Sequence, residues 1–381
     1  MKKELKINWV VTIFMISLHL ATLIGLSLLL CLSSIPAKTW ILTFTLWVLA
    51  GLSITAGYHR LFSHKAYRAH PAIRLLFALF GASNFQGSII EWSIDHRNHH
   101  RYTDTEKDPY SIKKGFWHAH ITWLFTLDES KRRHELVEDL YADPIVRLQH
   151  QFILPLMIIM TFAVPTLISC LWGDPLGGFI VAGGLRLLLN LHSTWAINSV
   201  CHLFGKGHYT EQSAKDNWIT AFFTFGEGYH NFHHQFPIDF RNGIRWFDFD
   251  PTKWLIKSLS YIKLTSDLKT VKKQKILQYK IAYQQKQSAV DQPQDTVSIQ
   301  SALQEIYKQL QAKIHKITLF EKKIIKLQQQ LALHPTNKKI QKRIKLHKKA
   351  AKIKWKEIKK NVSICNQAVK LNQRILATNE F

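Results

Sequence analysis

The stretch that decides the fold runs from Thr39 to His64 and reads TWILTFTLWVLAGLSITAGYHRLFSH. Residues 39–58 contain no Lys, Arg, Asp or Glu. As a helix, about twenty such residues cross the roughly 30 Å hydrocarbon core of a bilayer. His59 and His64 follow at once, so the stretch predicts a membrane helix whose end carries residues that bind metals.

Three further apolar runs have the length of a membrane helix. They cover residues 9–32, 152–172 and 176–201, and only Arg186 interrupts the last. The sequence therefore predicts an all-α membrane protein with four spans in two hairpins. The first run is too long for the core of a signal peptide. The shorter run from Ile73 to Ile90 is expected to lie at the interface or to be re-entrant.

Basic residues indicate the direction of the spans. Lys2, Lys3 and Lys6 precede the first span, and basic residues crowd the long segment between the second and the third. The turn Gly173-Asp174-Pro175 between the last two spans has none. By the positive-inside rule we expect both termini and the long central segment in the cytoplasm.

Histidines cluster on that same predicted side of the membrane. Besides His59 and His64 they are His96, His99 and His100 in DHRNHH, His202, and His230, His233 and His234 in YHNFHH. Positions i, i+3 and i+4 share one helix face, so each triple is expected to aim at one point. His59 and His64 are five apart, and this pair requires either a bend or two different metals.

The number of imidazoles indicates what they hold. Four would saturate one tetrahedral zinc, whereas nine suffice for two metals with positions left open for O₂. Imidazole also binds copper, nickel and iron, and affinity alone does not choose among them. A redox-active centre performs oxygen chemistry that side chains cannot, so the pattern favours an oxidative reaction at an unactivated C–H bond.

Three boxes in order, HRLFSH, DHRNHH and GEGYHNFHHQFP, with Asn198-Ser199-Val200-Cys201-His202 before the last, resemble the membrane acyl-CoA delta-9 desaturase (stearoyl-CoA desaturase) family. The resemblance extends from about Trp40 to Trp254. It implies a cytoplasmic helical cap that holds a di-iron site and O₂-dependent, cis desaturation of a saturated acyl chain. It also implies these iron ligands: His59, His64, His96, His99, His100, His202, His230, His233 and His234, with Asn198 acting through water.

Other positions take expected roles from the same resemblance. His120 is expected to pack near the site without binding iron. Four carboxylates are candidate acceptors for the outer N–H groups of the ligands: Glu91, Asp95, Asp108 and Glu227. Trp195 is expected in the wall of a bent, apolar substrate tunnel, Thr43 or Trp47 at its closed end, and Gln86 and Arg97 at a polar entrance.

The sequence departs from the family where animal members hold coenzyme A. Basic residues there are replaced by Ile94, Leu127 and Asp128. Diphosphate binding relies on charge-assisted contacts, so acyl carrier protein or a membrane lipid stays open as the acyl carrier beside CoA.

The net charge of +25 is concentrated at one end of the chain. Residues 296–381 contain twenty Lys and Arg against four Asp and Glu, which gives +16. The resulting division is a desaturase domain over 1–282, a polar linker over 283–300 with the breaker Pro293, and a basic tail over 301–381. Apolar residues recur every seven positions from Leu303 to Leu331, which predicts a helical hairpin or coiled coil.

This tail has three possible roles: self-association, docking of an acidic electron carrier, or adhesion to anionic lipids. We expect the bilayer, and not nucleic acid, as the large partner. The sequence ALHPTN lacks the glycines of a haem-binding H-P-G-G motif. The electrons are therefore expected from an external donor such as ferredoxin or a b-type cytochrome.

Two other functions use some of the same features. A histidine-box hydroxylase or monooxygenase would end the same metal chemistry in oxygen transfer to an apolar substrate. A metal transporter or membrane scaffold would place polar ligands near the bilayer midplane, whereas these histidines follow the helix ends. The four cysteines form no C-x-x-C pair, which argues against a structural zinc site.

Overall fold

The computed structural model describes residues 7–126, 132–290 and 297–378. Among these residues the regular elements are helices, apart from one pair of two-residue strands, which confirms the predicted all-α class. The chain divides into two compact units, Met1–Val271 and Lys272–Phe381.

Four helices of the first unit are long and apolar enough to cross a membrane, which confirms the four predicted spans. They are Trp9–Leu32, Ala37–Ser63, Ile153–Cys170 and Pro175–Leu203. The first is helix α1. The second comprises α2 (Ala37–Leu52) and a π-helical segment (Ser53–Ser63). The third comprises α8 (Ile153–Ile158), a π turn (Ile159–Ala163) and α9 (Val164–Cys170). The fourth comprises α10 (Pro175–Gly177), a π segment (Gly178–Leu185) and α11 (Arg186–Leu203).

The remaining elements of this unit are shorter. The helices are α3 (Pro71–Ala82), α4 (Ile89–Tyr102), α5 (Phe116–His120), α6 (Glu138–Tyr141), α7 (Pro144–Gln151), α12 (Trp218–Phe223), α13 (His230–Gln235) and α14 (Pro251–Tyr261), with 3₁₀ turns at Ile112–Lys114, Thr122–Thr126 and His134–Val137. Strands β1 (Arg68–Ala69) and β2 (Thr265–Ser266) pair antiparallel.

The turn between the third and fourth spans is fastened to the start of the second. Asp174 accepts hydrogen bonds from the backbone N–H of Gly177 and from the Thr39 hydroxyl. The indole of Trp172 donates to the same hydroxyl at 3.0 Å. The two membrane hairpins are therefore joined at the end opposite the histidines.

The loop after α3 inserts among three spans. The Asn84 amide donates to the carbonyl oxygen of Ala50 at 3.0 Å. The carbonyl oxygen of Ser83 accepts from Thr161 and from the buried Arg186, each at 2.8 Å. At 12 residues α3 is too short to span. The predicted interfacial or re-entrant segment is thus a short helix followed by an inserted loop.

The second unit contains three helices: α15 (Lys273–Val290), α16 (Val297–Leu333) and α17 (Lys338–Thr378). The last two pack along each other as a hairpin, joined at residues 334–337. Its core contains the positions that recur every seven residues, Leu310, Ile317 and Ile324, together with Tyr307 and Ile358. The supercoiling of a coiled coil stays a prediction.

The segment expected to be a polar linker is largely helical. Residues 283–290 belong to α15 and residues 297–300 to α16. Gln, Lys and Ala have high helix propensity, and their polarity does not prevent a helix. Pro293 lies outside the described residues.

Candidate metal centre

The π-helical end of the second span brings His59 and His64 together. The backbone N–H of His64 donates to the carbonyl oxygen of His59 at 3.1 Å, a hydrogen bond between residues five apart. Such winding stacks positions i and i+5, which a regular α-helix would separate. Their ring centroids are 4.9 Å apart. A change of winding, and not a bend or two different metals, therefore places both rings in one group.

Local capping fixes the other two clusters. Ser88 and Glu91 form a capping box at the start of α4, with hydrogen bonds of 3.2 and 2.7 Å. The Asp216 carboxylate accepts from the backbone N–H groups of Asn231 and Phe232, in the first turn of α13. Both helices are therefore held at their N-terminal ends.

All nine histidines meet in two groups. The first contains His59, His64, His96, His100 and His233, and the second contains His99, His202, His230 and His234. Within each group, one ring nitrogen per residue lies within 4.8 Å of all the others.

The expectation that each triple aims at one point is wrong. In α4, His96 and His100 belong to the first group and His99 to the second. In α13, His230 and His234 belong to the second group and His233 to the first. Residues four apart are nearly aligned on a helix, whereas neighbours differ by about 100°. Each helix thus serves both groups.

Carboxylates orient one histidine in each group. Nδ1 of His59 lies 2.7 Å from the Glu227 carboxylate, and Nδ1 of His99 lies 2.9 Å from Asp108. The Arg60 guanidinium also contacts Glu227 at 2.8 Å. Burial alone would raise the pKa of Glu227, but Arg60 and His59 hold it below its usual range. Glu227 therefore stays ionised and fixes the proton of His59 on Nδ1.

The inward ring nitrogens suit a metal cation. With its proton on Nδ1, His59 points a bare Nε2 lone pair at the Nε2 atom of His233, 3.0 Å away. The same His233 nitrogen lies 2.9 Å from Nε2 of His100. In the second group, Nε2 of His234 lies 3.0 and 3.2 Å from those of His230 and His99. Converging lone pairs repel one another unless a cation lies between them, so both groups fit a metal ion.

The protonation states agree with that arrangement. Burial, together with the neighbouring imidazoles, lowers the pKa of six of these histidines well below the ordinary value: His64, His96, His100, His230, His233 and His234. Neutral imidazole is the form that ligates metals. The site therefore presents ligands that need not lose a proton first.

A cavity of about 410 Å³ reaches both groups. His59 and His96 of the first group line it, as do His99 and His230 of the second, and Asn198 lies in the same wall. Most of the remaining wall is apolar and includes Phe14, Met15, Ile54, Phe85, Leu191 and Trp195. An extended apolar molecule fits this space better than a polar one.

A hydrogen-bonded bridge crosses the wall beside the first group. The Gln86 amide donates to the Thr194 hydroxyl at 3.0 Å, and its carbonyl oxygen accepts from the Trp92 indole at 3.0 Å. The Trp92 ring stacks on His96 with centroids 4.8 Å apart. Gln86 and Trp195 both line the cavity.

Two of the proposed carboxylates contact an arginine. Asp95 binds Arg132 at 2.7 Å, and Glu91 lies 3.8 Å from the same guanidinium. All three line the cavity. They therefore form a polar part of its wall.

Arg97 does not line the cavity. Its guanidinium binds Asp139 at 2.7 Å and donates to the carbonyl oxygens of Phe62 and Ser63. It fastens the end of the π segment to the region around Asp139. The prediction of a polar entrance at Arg97 is corrected accordingly. Leu127 and Asp128 lie outside the described residues.

Thr43 and Trp47 lie outside the cavity wall as well. Thr43 donates to the carbonyl oxygen of Thr39 at 2.8 Å. The Trp47 ring packs on Phe225, with centroids 4.8 Å apart, and Phe225 itself lines the cavity. A Cβ at Gly51 would lie 2.2 Å from the Phe225 ring, so glycine leaves room for this ring. Any effect of Trp47 on the cavity therefore acts through Phe225.

His120 belongs to neither group and lies in a separate chain of histidines. Its Nε2 lies 3.1 Å from Nδ1 of His192, whose Nε2 lies 3.1 Å from His19. Its Nδ1 lies 2.9 Å from the Ser199 hydroxyl. This chain connects α1, α5 and α11 next to the wall residue Trp195.

Several contacts at the site could not be found from the sequence. Nδ1 of His202 lies 2.6 Å from the Ser213 hydroxyl, which donates to Asp104, and Nδ1 of His234 lies 3.2 Å from Gln212. Ser213 and Gln212 belong to an irregular segment without a motif. The contacts of Arg60 could have been expected from the sequence, because a charged residue inside HRLFSH at the end of a span requires buried partners.

The fold and the two histidine groups together define an integral-membrane protein with a candidate metal centre. Residues 38–263 match the family described as fatty acid desaturase. The chain belongs to this family.

Curated relatives agree with that assignment. The chain is 42% identical over 288 residues to the Schizosaccharomyces pombe protein named probable acyl-CoA desaturase, covering 75% of this chain and 59% of that one. It is 42% identical over 243 residues to acyl-CoA desaturase 1 of Saccharomyces cerevisiae, covering 63% and 48%. It is 37% identical over 274 residues to stearoyl-CoA desaturase 5 of Homo sapiens, covering 70% and 82%. The chain thus spans about half of the length of the two yeast relatives.

Proposed function

We propose that this chain is an O₂-dependent acyl desaturase that introduces a cis double bond, by analogy with its relatives at the delta-9 position, into a saturated fatty acyl chain. The observation that carries the proposal is that one apolar cavity is lined by histidines of both groups. The relatives named acyl-CoA desaturase support CoA as the acyl carrier. The overall change removes two hydrogens from the acyl chain, and O₂ with two electrons and two protons becomes two waters.

We assign the nine histidines as ligands of two iron ions, with Asn198 acting through water. Iron supplies the oxygen-activating redox chemistry that an unactivated C–H bond requires. Glu227 and Asp108 hold the protons of His59 and His99 on their outer nitrogens. The ring nitrogens of both groups thus stay directed inward.

Selectivity then depends on how the cavity positions the acyl chain. Neighbouring methylene groups have nearly equal reactivity, so only their placement distinguishes them. The Gln86 bridge lies beside His96, where it fixes the Trp92 ring. We assign this bridge to placing the reacting methylenes next to the first group.

The orientation and the electron source complete the proposal. We assign both termini and the metal centre to the cytoplasm, because basic residues precede the first span and crowd the segment between the second and the third. An external donor such as ferredoxin or a b-type cytochrome supplies the electrons at this side.

The test is a fatty-acid profile, by gas chromatography and mass spectrometry, of desaturase-deficient cells that express the chain with a compatible donor. New monounsaturated chains are expected for the intact protein, and none for His233→Ala at equal membrane expression. His315→Ala, an exposed histidine of the second unit, serves as the matched control and should keep full activity. Iron content is measured on the same purified proteins.

Each result has a defined meaning. Hydroxylated products in place of alkenes would assign the chain to the histidine-box hydroxylases. Unchanged profiles in spite of bound iron and a working donor would contradict both oxidative functions.

A further inference from the structure

The exposed face of α17 has an unusual composition. Between Lys342 and Ile364, all of which the structure describes, nine basic side chains are exposed, eight of them lysine. Glu357 is the one carboxylate in this range, and it is half-buried and pairs with Lys354 at 3.0 Å. At about 1.5 Å per residue, this face extends over roughly 35 Å.

Such a face costs helix stability. Lys345 and Lys349 are four residues apart, as are Lys352 and Lys356, and like charges at this spacing repel each other. The buried side of the helix, with Ile344 and Ile358 in the core of the hairpin, holds α17 in place despite the repulsion. An anionic surface would remove the repulsion.

Three aliphatic side chains lie within the lysine-rich face. Leu346, Ile353 and Ile364 are 58%, 53% and 48% exposed. Spaced by seven and eleven residues, they form one stripe along the helix. Lys349 and Lys360 lie along one side of this stripe, and long lysine side chains cover apolar surface while their ammonium groups reach outward.

We propose that this face of α17 binds the anionic headgroups of a lipid bilayer. Apolar residues flanked by lysines match a bilayer interface, where aliphatic chains enter the headgroup boundary and lysines pair with phosphates. Lysine, a hydrated point charge, suits such a diffuse surface, whereas a specific carboxylate or phosphate site favours the rigid fork of arginine. The second unit is joined covalently to the membrane unit, and α15 begins two residues after that unit ends.

The neighbouring helix lacks this composition. The exposed positions of α16 include Gln304, Glu305 and Gln309 in its first half. Its basic residues Lys322, Lys323 and Lys326 are exposed in its second half. These three lysines provide a control of equal charge on the other helix.

The experiment uses the full chain in nanodiscs of phosphatidylcholine alone or mixed with phosphatidylglycerol. Amide hydrogen exchange of α17, followed by mass spectrometry, is expected to slow severalfold in the anionic discs and to recover at high salt. Lys349→Glu, Lys352→Glu and Lys356→Glu combined should abolish the slowing. Lys322→Glu, Lys323→Glu and Lys326→Glu combined, with the same change in net charge, should keep it. Ile353→Ser should weaken it.

Three outcomes would overturn the proposal. Equal exchange in both kinds of disc would show that anionic lipid does not bind this face. Equal effects of the two triple variants on the exchange of α17 would show that the slowing depends on net charge and not on this face. If the exchange of α17 slows in neutral discs only after an acidic electron donor such as ferredoxin is added, the face binds a protein partner instead. The measurement does not depend on desaturase activity, so it can fail while the proposed function stands.

Discussion

Glu227 is the residue on which the first histidine group depends most. It accepts from His59, Arg60 and Asn242, and its side chain is only 3% exposed. The Glu227 carboxylate must be ionised to keep the His59 proton on Nδ1. The positive charge of Arg60 keeps this carboxylate ionised. Metal affinity at this site is therefore coupled to a carboxylate that never touches the metal.

Glu227→Gln is expected to lower iron affinity about 10–100-fold, the usual cost of losing such an outer partner. The amide can donate to Nδ1 of His59, which would move the ring proton to the inward nitrogen. Iron content at limiting iron, measured by mass spectrometry on purified protein, tests this. Glu138→Gln, an exposed carboxylate in α6, should leave it unchanged. Equal iron binding by both variants would remove Glu227 from this role.

Trp47→Ala is expected to shift the preference toward longer acyl chains. Without the indole, the Phe225 ring can move away from the cavity into the vacated space. The chain-length profile of the products measures the effect. Phe44→Ala, which removes a mostly exposed ring that also contacts Trp47, should leave the profile unchanged. An unaltered profile for Trp47→Ala would show that Phe225 stays in place.

The residue patterns predicted which histidines are candidate ligands, but not which of the two groups each histidine joins. The spacing of the histidines in α4 and α13 fixes which of them share a helix face. Which of the two groups each histidine joins depends on where the helix lies between the groups. Asp108 and Glu227 contact histidines, whereas Asp95 contacts Arg132. A side chain's partner is set by tertiary packing, which local spacing does not contain.

Among the elements, the π segment at the end of the second span matters most. Its winding places His59 and His64 in one group, and no composition rule separates it from a regular helix in the sequence. Close packing holds it: a Cβ at Gly57 would lie 2.6 Å from Cβ of Phe77 in α3. The span was therefore predictable from hydropathy, and its irregular end was not.

Gly57→Ala is expected to push α3 away from the π segment and destabilise the protein by about 1–3 kcal/mol, the usual cost of overpacking. The thermal midpoint in detergent and the iron content should both fall. Gly25→Ala is the control, because its nearest neighbour is the flexible end of Ile180, 2.9 Å from the added Cβ. Equal midpoints for the two variants would contradict the tight fit at Gly57.

At the scale of the molecule, the metal centre joins segments that are distant in sequence. The described ligand candidates come from the second span, α4, α11 and α13, and repelling nitrogens converge between them. A bound cation removes that repulsion and adds binding free energy to the folded state only. The membrane unit should therefore be markedly more stable with metal than without it.

Removing the metal with a chelator is expected to lower the thermal midpoint of the purified protein. A ligand at 100 times its Kd stabilises the folded state by about 2.7 kcal/mol. Adding ferrous iron should restore the midpoint. His233→Ala should start lower and respond less to the chelator. A midpoint that does not respond to chelation would mean that packing alone holds the two groups together.

The distance between the ligands along the chain has a consequence for biosynthesis. His59 and His233, which meet in the first group, are 174 positions apart. A ribosome translating this chain has synthesised all four spans before it reaches the last box. Neither metal group can therefore be complete until the last box has been synthesised, and the metal must be bound after all four spans have been made. When the metal is scarce, we expect the protein to accumulate in the membrane with both groups empty, and metal supplied later to fill them without new synthesis.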